Sequence, residues 1–394
     1  MADEPTDSAA SDFTRAVRAG TAPRPLARTV SPPIQRASTV LLKNAASFYD
    51  PREVSYGRAG LQPHGQLCEA LDALEGSAGT RLFPSGLAAM TGVLLGFLKV
   101  GDDILVVDSV YAPTRRFCDN ALARFGVTTR YYAPSLGPEE LLALAGPATR
   151  MIVLESPGSL TFEFQDVPGI AAAARARGIL TAIDNTWGAG VIFKPIAHGV
   201  DISVQALTKY VGGHSDVFMG SASVRNESLL RTLDEAIWQV GWSVSPDDAY
   251  QMLRGIRTLP TRLARHGDGA VKVAEWLDNR PQVDHVRCAA LPGAPGHELW
   301  ARDCTGYNGL FSVVMAPAPE SSVNAMIDAL DLFGLGYSWG GYESLVIPCD
   351  PQLKVRKTRT ELGGPLVRFH IGLEDPADLI ADLAQALRAY EVAA

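Results

Sequence analysis

The sequence predicts an α/β protein whose mostly parallel sheet is covered by helices on both faces. In the middle of the chain, short apolar runs alternate with stretches of helical periodicity. Strands that are separated by helical crossovers form sheets of this kind. Helices are predicted at residues 62–75, after Ser85 and at residues 167–177. Buried strands are predicted at residues 103–108, 128–132, 151–155, 180–184 and 202–207.

The length and the changing pattern predict three parts. A chain of 394 residues exceeds the size at which one core usually stops growing. Residues 1–60 are rich in Pro, Arg, Ser and Thr without a sustained period, which indicates an extended arm. We expect a large domain over residues 61–250 and a smaller α+β domain over residues 251–394. Its predicted elements are helices starting near residues 246, 261 and 376, and strands at residues 310–315 and 366–371.

The composition argues against several classes of partner. The chain has 35 basic and 43 acidic side chains and no basic run, so we expect no nucleic-acid partner. The acidic N-terminus and the lack of a long apolar stretch predict a cytoplasmic protein without membrane contact. The five cysteines are scattered without metal-ligand spacing, and the histidines are too dispersed for a zinc site, so we expect no metal.

Two polar residues stand at the ends of predicted strands, where open parallel sheets place their ligands. Asp184 ends one apolar run, and Lys209 follows another. A buried carboxylate near a lysine is more often a plain ion pair. However, Lys209 is preceded by the Thr208 hydroxyl and followed by a glycine-containing turn that admits a bulky ligand. A desolvated lysine forms Schiff bases with carbonyl compounds, and a carboxylate suits the pyridine nitrogen of pyridoxal 5′-phosphate (PLP).

A phosphate site is predicted at the turn that opens the helix after Ser85. Gly86 and Leu87 stand where backbone N–H groups and the helix dipole point at an anion. A Ser-Gly pair before a helix is, by itself, more commonly an ordinary N-cap. The phosphate interpretation therefore depends on the lysine and the aspartate described above.

The sequence resembles the Cys/Met-metabolism PLP enzymes of the aspartate-aminotransferase fold type (fold type I), and within them the bacterial cystathionine β-lyases. The resemblance covers nearly the whole chain after the first dozen residues. It is carried by many long motifs in the same order. These are SYGRAG (55–60), FPSGLAAM (83–90), VYAPT (110–114), LESPGS (154–159), IDNTW (183–187), QALTKYVGGHSD (205–216), RGIRTLPTRLARH (254–266), YSWGGYESL (337–345) and VRFHIGLED (367–375).

The resemblance implies a seven-stranded type of sheet and a role for each matching residue. Lys209 would carry PLP as a Schiff base, Asp184 would pair with the pyridine nitrogen, and Tyr111 would stack on the ring and serve in catalysis. The phosphate would be bound by Gly86, Leu87 and Thr208 of one subunit and by Tyr56 and Arg58 of its neighbour. We therefore expect a homo-oligomer with shared active sites, and by resemblance a tetramer built as a dimer of dimers.

On the substrate side, the resemblance makes Arg368 the residue that binds the α-carboxylate, a task for its planar fork of donors. Ser338 and Trp339 would line the site, as would Tyr56, although the YSWGGY segment also fits a purely structural turn. Two positions depart from the bacterial cystathionine β-lyases. Arg116 replaces an acidic residue, and Trp238 replaces a tyrosine in the distal part of the substrate pocket.

The implied reaction is the α,β-elimination of L-cystathionine to homocysteine, pyruvate and ammonia. Because Arg116 and Trp238 alter the distal pocket, cystine or another S-substituted cysteine remains an alternative substrate. γ-Elimination and γ-replacement are less favoured, since Ala206 stands where enzymes with those activities typically have a serine. A PLP-binding protein without activity is disfavoured, because Lys209, Asp184 and Arg368 are all present.

Overall fold

The computed structural model describes residues 29–50, 52–358 and 361–390. The described residues from residue 34 onward form one compact unit, and the described residues 29–33 contain no helix or strand. Within the predicted arm, residues 1–28 and residue 51 lie outside the described residues. The proposed boundary near residue 250 stays a prediction.

The first sheet has seven strands in the order β1-β7-β6-β5-β4-β2-β3. Strand β7 is antiparallel to both of its neighbours, and the other neighbouring pairs are parallel. The predicted mostly parallel sheet is therefore confirmed. Its strands are β1 (Gly79–Phe83), β2 (Asp103–Val107), β3 (Thr128–Tyr132), β4 (Thr149–Glu155), β5 (Leu180–Asp184), β6 (Ile202–Ala206) and β7 (Gly220–Val224).

Helices join these strands and cover the sheet because the central strands are apolar on both faces. Every residue of β2 is buried, as is most of β4. The Ser85 side chain caps the second helix by accepting a hydrogen bond from Ala88 N–H at 3.1 Å. The helices of this part are α1 (Gln62–Glu75), α2 (Gly86–Phe97), α3 (Ala112–Phe117), α4 (Pro138–Ala143), α5 (Val167–Ala176) and α6 (Glu227–Val240).

The remainder of the chain forms a five-stranded sheet in the order β10-β11-β12-β9-β8. Two long helices precede it, and a closing helix packs against one of them. Its strands are β8 (Val283–Arg287), β9 (Leu310–Met315), β10 (Gly334–Leu335), β11 (Leu345–Pro348) and β12 (Leu366–His370). Its helices are α7 (Pro246–Ile256), α8 (Leu259–Asp278), α9 (His297–Asp303), α10 (Glu320–Asp328), α11 (Asp350–Leu353) and α12 (Pro376–Ala386).

The topology brings polar residues together at one edge of the first sheet. Glu155 and Asp184 are paired in register at the carboxyl ends of β4 and β5, and Lys209 follows β6 in the same direction. This edge is where open α/β sheets bind ligands. None of the helices in the described part of the chain has the length and apolar character needed to cross a bilayer.

Candidate active site

The Lys209 amine lies at the centre of the polar edge. Its Nζ donates a hydrogen bond of 2.9 Å to Ser338 Oγ and lies 5.4 Å from the ring centre of Trp339. Burial, and then the positive charge of Arg368, lowers the pKa of Lys209 to about 8, while Asp184 acts in the opposite direction. The structure thus places four other predicted site residues around an amine that is partly deprotonated near neutral pH.

Asp184 is held by its own turn. Its Oδ1 accepts hydrogen bonds from the backbone N–H of Thr186 at 3.0 Å and from the Thr186 hydroxyl at 2.5 Å. Burial raises the pKa of Asp184, while Thr186 and then Lys209 favour the charged form. Both hydrogen bonds end on Oδ1, and within the described residues no hydrogen bond ends on Oδ2, which can therefore accept one from a ligand.

Glu155 connects Tyr111 with Asp184. Its Oε2 accepts a hydrogen bond of 2.7 Å from Tyr111 N–H, and its Oε1 accepts one from the Ser159 hydroxyl. Burial and then the Asp184 charge raise the pKa of Glu155. Partial burial, Asp184 and Glu155 likewise raise the pKa of Tyr111, so its phenol stays protonated and suits a proton donor.

The predicted phosphate cradle lies at the start of α2. As the first residues of the helix, Gly86 and Leu87 have N–H groups without partners in a preceding turn. A Cβ atom placed on Gly86 would lie 2.4 Å from the Ala206 Cβ, so only glycine permits this approach to β6. The Thr208 hydroxyl donates to Met219 O at 3.1 Å and accepts from Met219 N–H at 3.0 Å, so it is already engaged.

Arg368 offers an unused donor inside the site. The side chain extends from β12 and is 7% exposed. Its Nη2 donates to the carbonyl oxygens of Tyr337 at 2.9 Å and Ser338 at 3.2 Å. Among the described residues its Nε has no partner, although it is buried. A buried guanidinium with an unpaired N–H is arranged to bind an anion such as a carboxylate.

Four predicted residues lie apart from this group. The Arg58 guanidinium lies 4.2 Å from the ring centre of Trp238 and 6.0 Å from that of Tyr56. Within the described residues, no hydrogen bond or ring contact joins these three to Lys209. Arg116 lies exposed on α3, and its carbonyl accepts a hydrogen bond from Asn120. Their predicted roles stay predictions.

The residue roles predicted for this site missed Glu155 and His370. Glu155 ends a predicted strand just as Asp184 does, so the rule that selected Asp184 also selects it. His370 lies two residues after Arg368 on the same face of β12, inside the VRFHIGLED motif. Its hydrogen bonds to the loop before β11 have no signature in the sequence, because they depend on how two distant segments meet.

Comparison with known proteins identifies the family that the fold and this site define. A family model described as Cys/Met metabolism PLP-dependent enzyme matches residues 13–388. The chain belongs to this family.

Individual relatives extend over nearly the same length. A protein named putative cystathionine beta-lyase from Rhizobium johnstonii is 48% identical, with 91% of each chain covered. Cystathionine beta-lyase MetC from Escherichia coli is 42% identical, with 97% of this chain and 98% of that protein covered. The crystal structure of metB from Corynebacterium glutamicum superposes with a TM-score of 0.87 at 30% identity and covers 98% of this chain and 99% of that one.

The residues present fit PLP. Three groups lie at the same sheet edge: an amine with a lowered pKa, a carboxylate whose Oδ2 has no partner among the described residues, and a helix N-terminus whose first N–H groups have no preceding turn to bind. These are the three attachments that the cofactor needs for its aldehyde, ring nitrogen and phosphate. Lys209 would hold the aldehyde carbon, Asp184 the ring nitrogen, and Gly86 and Leu87 the phosphate.

Proposed function

We propose that this chain is a PLP-dependent cystathionine β-lyase. The reaction breaks the Cβ–S bond of L-cystathionine and, with one water, gives homocysteine, pyruvate and ammonia. The observation that carries the proposal is the contact of Lys209 Nζ with Ser338, the residue whose carbonyl is bound by Arg368. This contact places the Lys209 amine, which accepts a proton, near Arg368, which can donate hydrogen bonds to the substrate carboxylate. The names of the two relatives at 48% and 42% identity support the substrate.

Each residue of the site has a task in this reaction. Arg368 binds the α-carboxylate through Nε and orients the Cα–H bond toward Lys209. The Lys209 amine removes the proton from Cα, and its lowered pKa keeps part of it unprotonated near pH 8. When bound, PLP supplies the ring that draws electrons from Cα. Asp184 would pair with the ring nitrogen and so strengthen that withdrawal.

A proton must also reach the departing sulfur. The raised pKa of Tyr111 keeps its phenol protonated, and Lys209 holds the proton that it took from Cα. Either group therefore serves as a general acid for the thiolate. Glu155 holds the backbone N–H of Tyr111 and so helps to fix the position of the Tyr111 side chain.

The distal pocket leaves a second candidate substrate. Arg116 is a cation where the resembling cystathionine β-lyases carry an acidic residue that could face the distal amino group. Trp238 likewise stands where those enzymes carry a tyrosine. Because both changes would alter the part of the pocket that receives the leaving group, cystine or another S-substituted cysteine is the alternative substrate. The chain would then be a cysteine-S-conjugate β-lyase.

The assembly proposed for this enzyme is a cytoplasmic homo-oligomer, by resemblance a homotetramer. Arg58 contacts both Tyr56 and Trp238, and within the described part of the chain no hydrogen bond or ring contact joins these three residues to the Lys209 group. This separation from Lys209 of the same subunit supports the proposal that Tyr56 and Arg58 bind the PLP phosphate in a neighbouring subunit. The partners proposed are thus a sulfur amino acid and further copies of this chain.

The test is a product assay on PLP-loaded protein with L-cystathionine and L-cystine in parallel. Pyruvate and homocysteine from cystathionine as the preferred substrate support the proposal. Pyruvate mainly from cystine reassigns the substrate, and 2-oxobutyrate contradicts the β-elimination. Lys209→Ala should abolish product formation, whereas Lys272→Ala, which changes an exposed lysine on α8, should not. Borohydride reduction should leave the cofactor mass on Lys209.

A further inference from the structure

Residues 337–343, here called the serine loop, pack directly on the backbone of the catalytic lysine. Gly340 has a φ of +83°, and a Cβ placed on it would lie 2.7 Å from Tyr210 N and 3.1 Å from Lys209 Cα. Ser338 in the same loop accepts the hydrogen bond from Lys209 Nζ. The position of this loop therefore decides what surrounds the lysine amine.

His370 binds the serine loop at two points. Its Nε2 accepts a hydrogen bond of 2.9 Å from Gly340 N–H. Its Nδ1 lies 3.0 Å from Glu343 O, and since a carbonyl only accepts, Nδ1 carries the proton. Burial keeps the pKa of His370 well below its usual value, so the imidazole is neutral and has both a donor and an acceptor. One ring thus fixes the middle and the end of the loop.

Arg368 holds the beginning of the same loop. Its bonds go to the carbonyls of Tyr337 and Ser338, and it projects from β12 on the same face as His370. A shift of the loop would therefore change the orientation of the guanidinium that binds the substrate carboxylate. In the part of the chain that the structure describes, no hydrogen bond joins His370 to the lysine amine.

We propose that His370 is a positioning residue that holds the serine loop against Lys209, so that Ser338 and Arg368 face the substrate. The part of this proposal that concerns catalysis rests on the lyase function proposed above. The part that concerns the loop does not, because it is measurable on the full chain without substrate or cofactor.

His266 provides a matched control. Its imidazole is as completely buried as that of His370, and both rings pack against Tyr210. Its hydrogen bond, however, goes to Ile371 O and not to the serine loop. The two rings also pack against each other, with centres 5.3 Å apart. His266→Ala therefore removes a packing neighbour of His370 but leaves the hydrogen bonds of His370 to the serine loop in place, whereas His370→Ala removes those hydrogen bonds.

The experiment measures amide hydrogen exchange of the full chain, with and without PLP, together with the kinetics of the loaded enzyme. His370→Ala should speed exchange in residues 337–343 by about tenfold or more, since a protecting acceptor is lost. It should raise KM about tenfold while kcat changes by less than about threefold, because the residue orients a binding group. His266→Ala should leave both loop exchange and KM close to the wild-type values.

Two conservative variants keep the test valid if His370→Ala does not fold. His370→Gln retains an acceptor near Nε2 and should preserve the protection of Gly340, whereas His370→Asn retains a donor near Nδ1 and should lose it. Equal loop exchange in the two variants, or equal effects of His266→Ala and His370→Ala, would overturn the proposal. So would faster loop exchange with an unchanged KM. If no sulfur amino acid is cleaved by the wild type, the lyase proposal fails while the exchange result still decides how the loop is held.

Discussion

At the scale of single residues, Arg368 is the clearest point of substrate recognition. Arg368→Lys loses the planar fork and the second donor, so we expect kcat/KM for cystathionine to fall about 10- to 100-fold, mainly through KM. Steady-state kinetics checks this. Arg287→Lys is the matched control, because Arg287 is also 7% exposed and projects from the same face of the second sheet, but from β8, where it donates to Thr161 O. A comparable rise in KM for both variants would contradict the assignment of Arg368.

The site residues that could be predicted from the sequence are those whose positions are fixed by the strands that carry them. Asp184 and Lys209 were predicted from their positions at strand ends, and β5 and β6 carry both to the same edge. The contact of Lys209 with Ser338 was not predictable from spacing, since it joins two sheets. Sequence periodicity describes one helix or strand at a time and does not show which distant segments of the chain come into contact.

At the scale of elements, the N-terminus of α2 depends on its close approach to β6. Gly86→Ala would force a methyl group into the Ala206 side chain, so we expect about 1–3 kcal/mol lower stability and weaker PLP binding. Denaturant unfolding of the cofactor-free protein and absorbance titration with PLP check both effects. Gly65→Ala in α1 meets open space and should stabilise the chain by about 0.5–1 kcal/mol. If Gly86→Ala binds PLP as tightly as the wild type, the N-terminus of α2 does not bind the phosphate.

The last residue of α1 predicts a pH dependence. Glu75 is completely buried and accepts hydrogen bonds from Gln205 and Asn185, and burial raises its pKa to about 7. The carboxyl is thus easier to ionise in the unfolded chain. Its contribution to stability is fully present below its unfolded pKa of about 4.5 and is lost as the pH rises to about 7. We therefore expect the wild type to lose about 3 kcal/mol relative to Glu75→Gln between pH 4.5 and pH 7.5.

Denaturant unfolding of both proteins across that pH range measures this difference. A constant difference would show that Glu75 keeps the same charge in the folded and unfolded chains. Lys194, whose Nζ donates to Leu74 O, is the nearby cation, and Lys194→Met should raise the pH at which stability is lost.

The elements that the sequence predicted best are those with a strong period and a clear stop. The predicted helix 62–75 has the same bounds as α1, because Gly76 ends it in a left-handed conformation with φ of +68°. Strands β3, β5 and β9 were likewise predicted with the bounds they have. Strand β7 was not predicted, because its small residues, GSASV, give little apolar signal although all of them are buried.

At the scale of the whole molecule, the proposed sharing of sites between subunits is testable by complementation. Lys209→Ala and Arg58→Ala should each be inactive or strongly impaired alone. Mixed dimers formed after joint refolding should recover about a quarter of wild-type activity, because half of them are hybrids with one intact site. If Arg58 serves its own subunit, the mixture stays as inactive as its components.

The hydrogen bond between Lys209 and Ser338 spans 129 residues of the chain. During synthesis at the ribosome, roughly 10 s separate the appearance of the two residues. The first sheet is complete in sequence by Val224, whereas Ser338 and Arg368 lie in segments that are made much later. A nascent chain that ends before residue 338 therefore lacks both the hydrogen-bond partner of Lys209 and the neighbouring positive charge of Arg368. We expect the full environment of the lysine amine to form only after most of the polypeptide has been made.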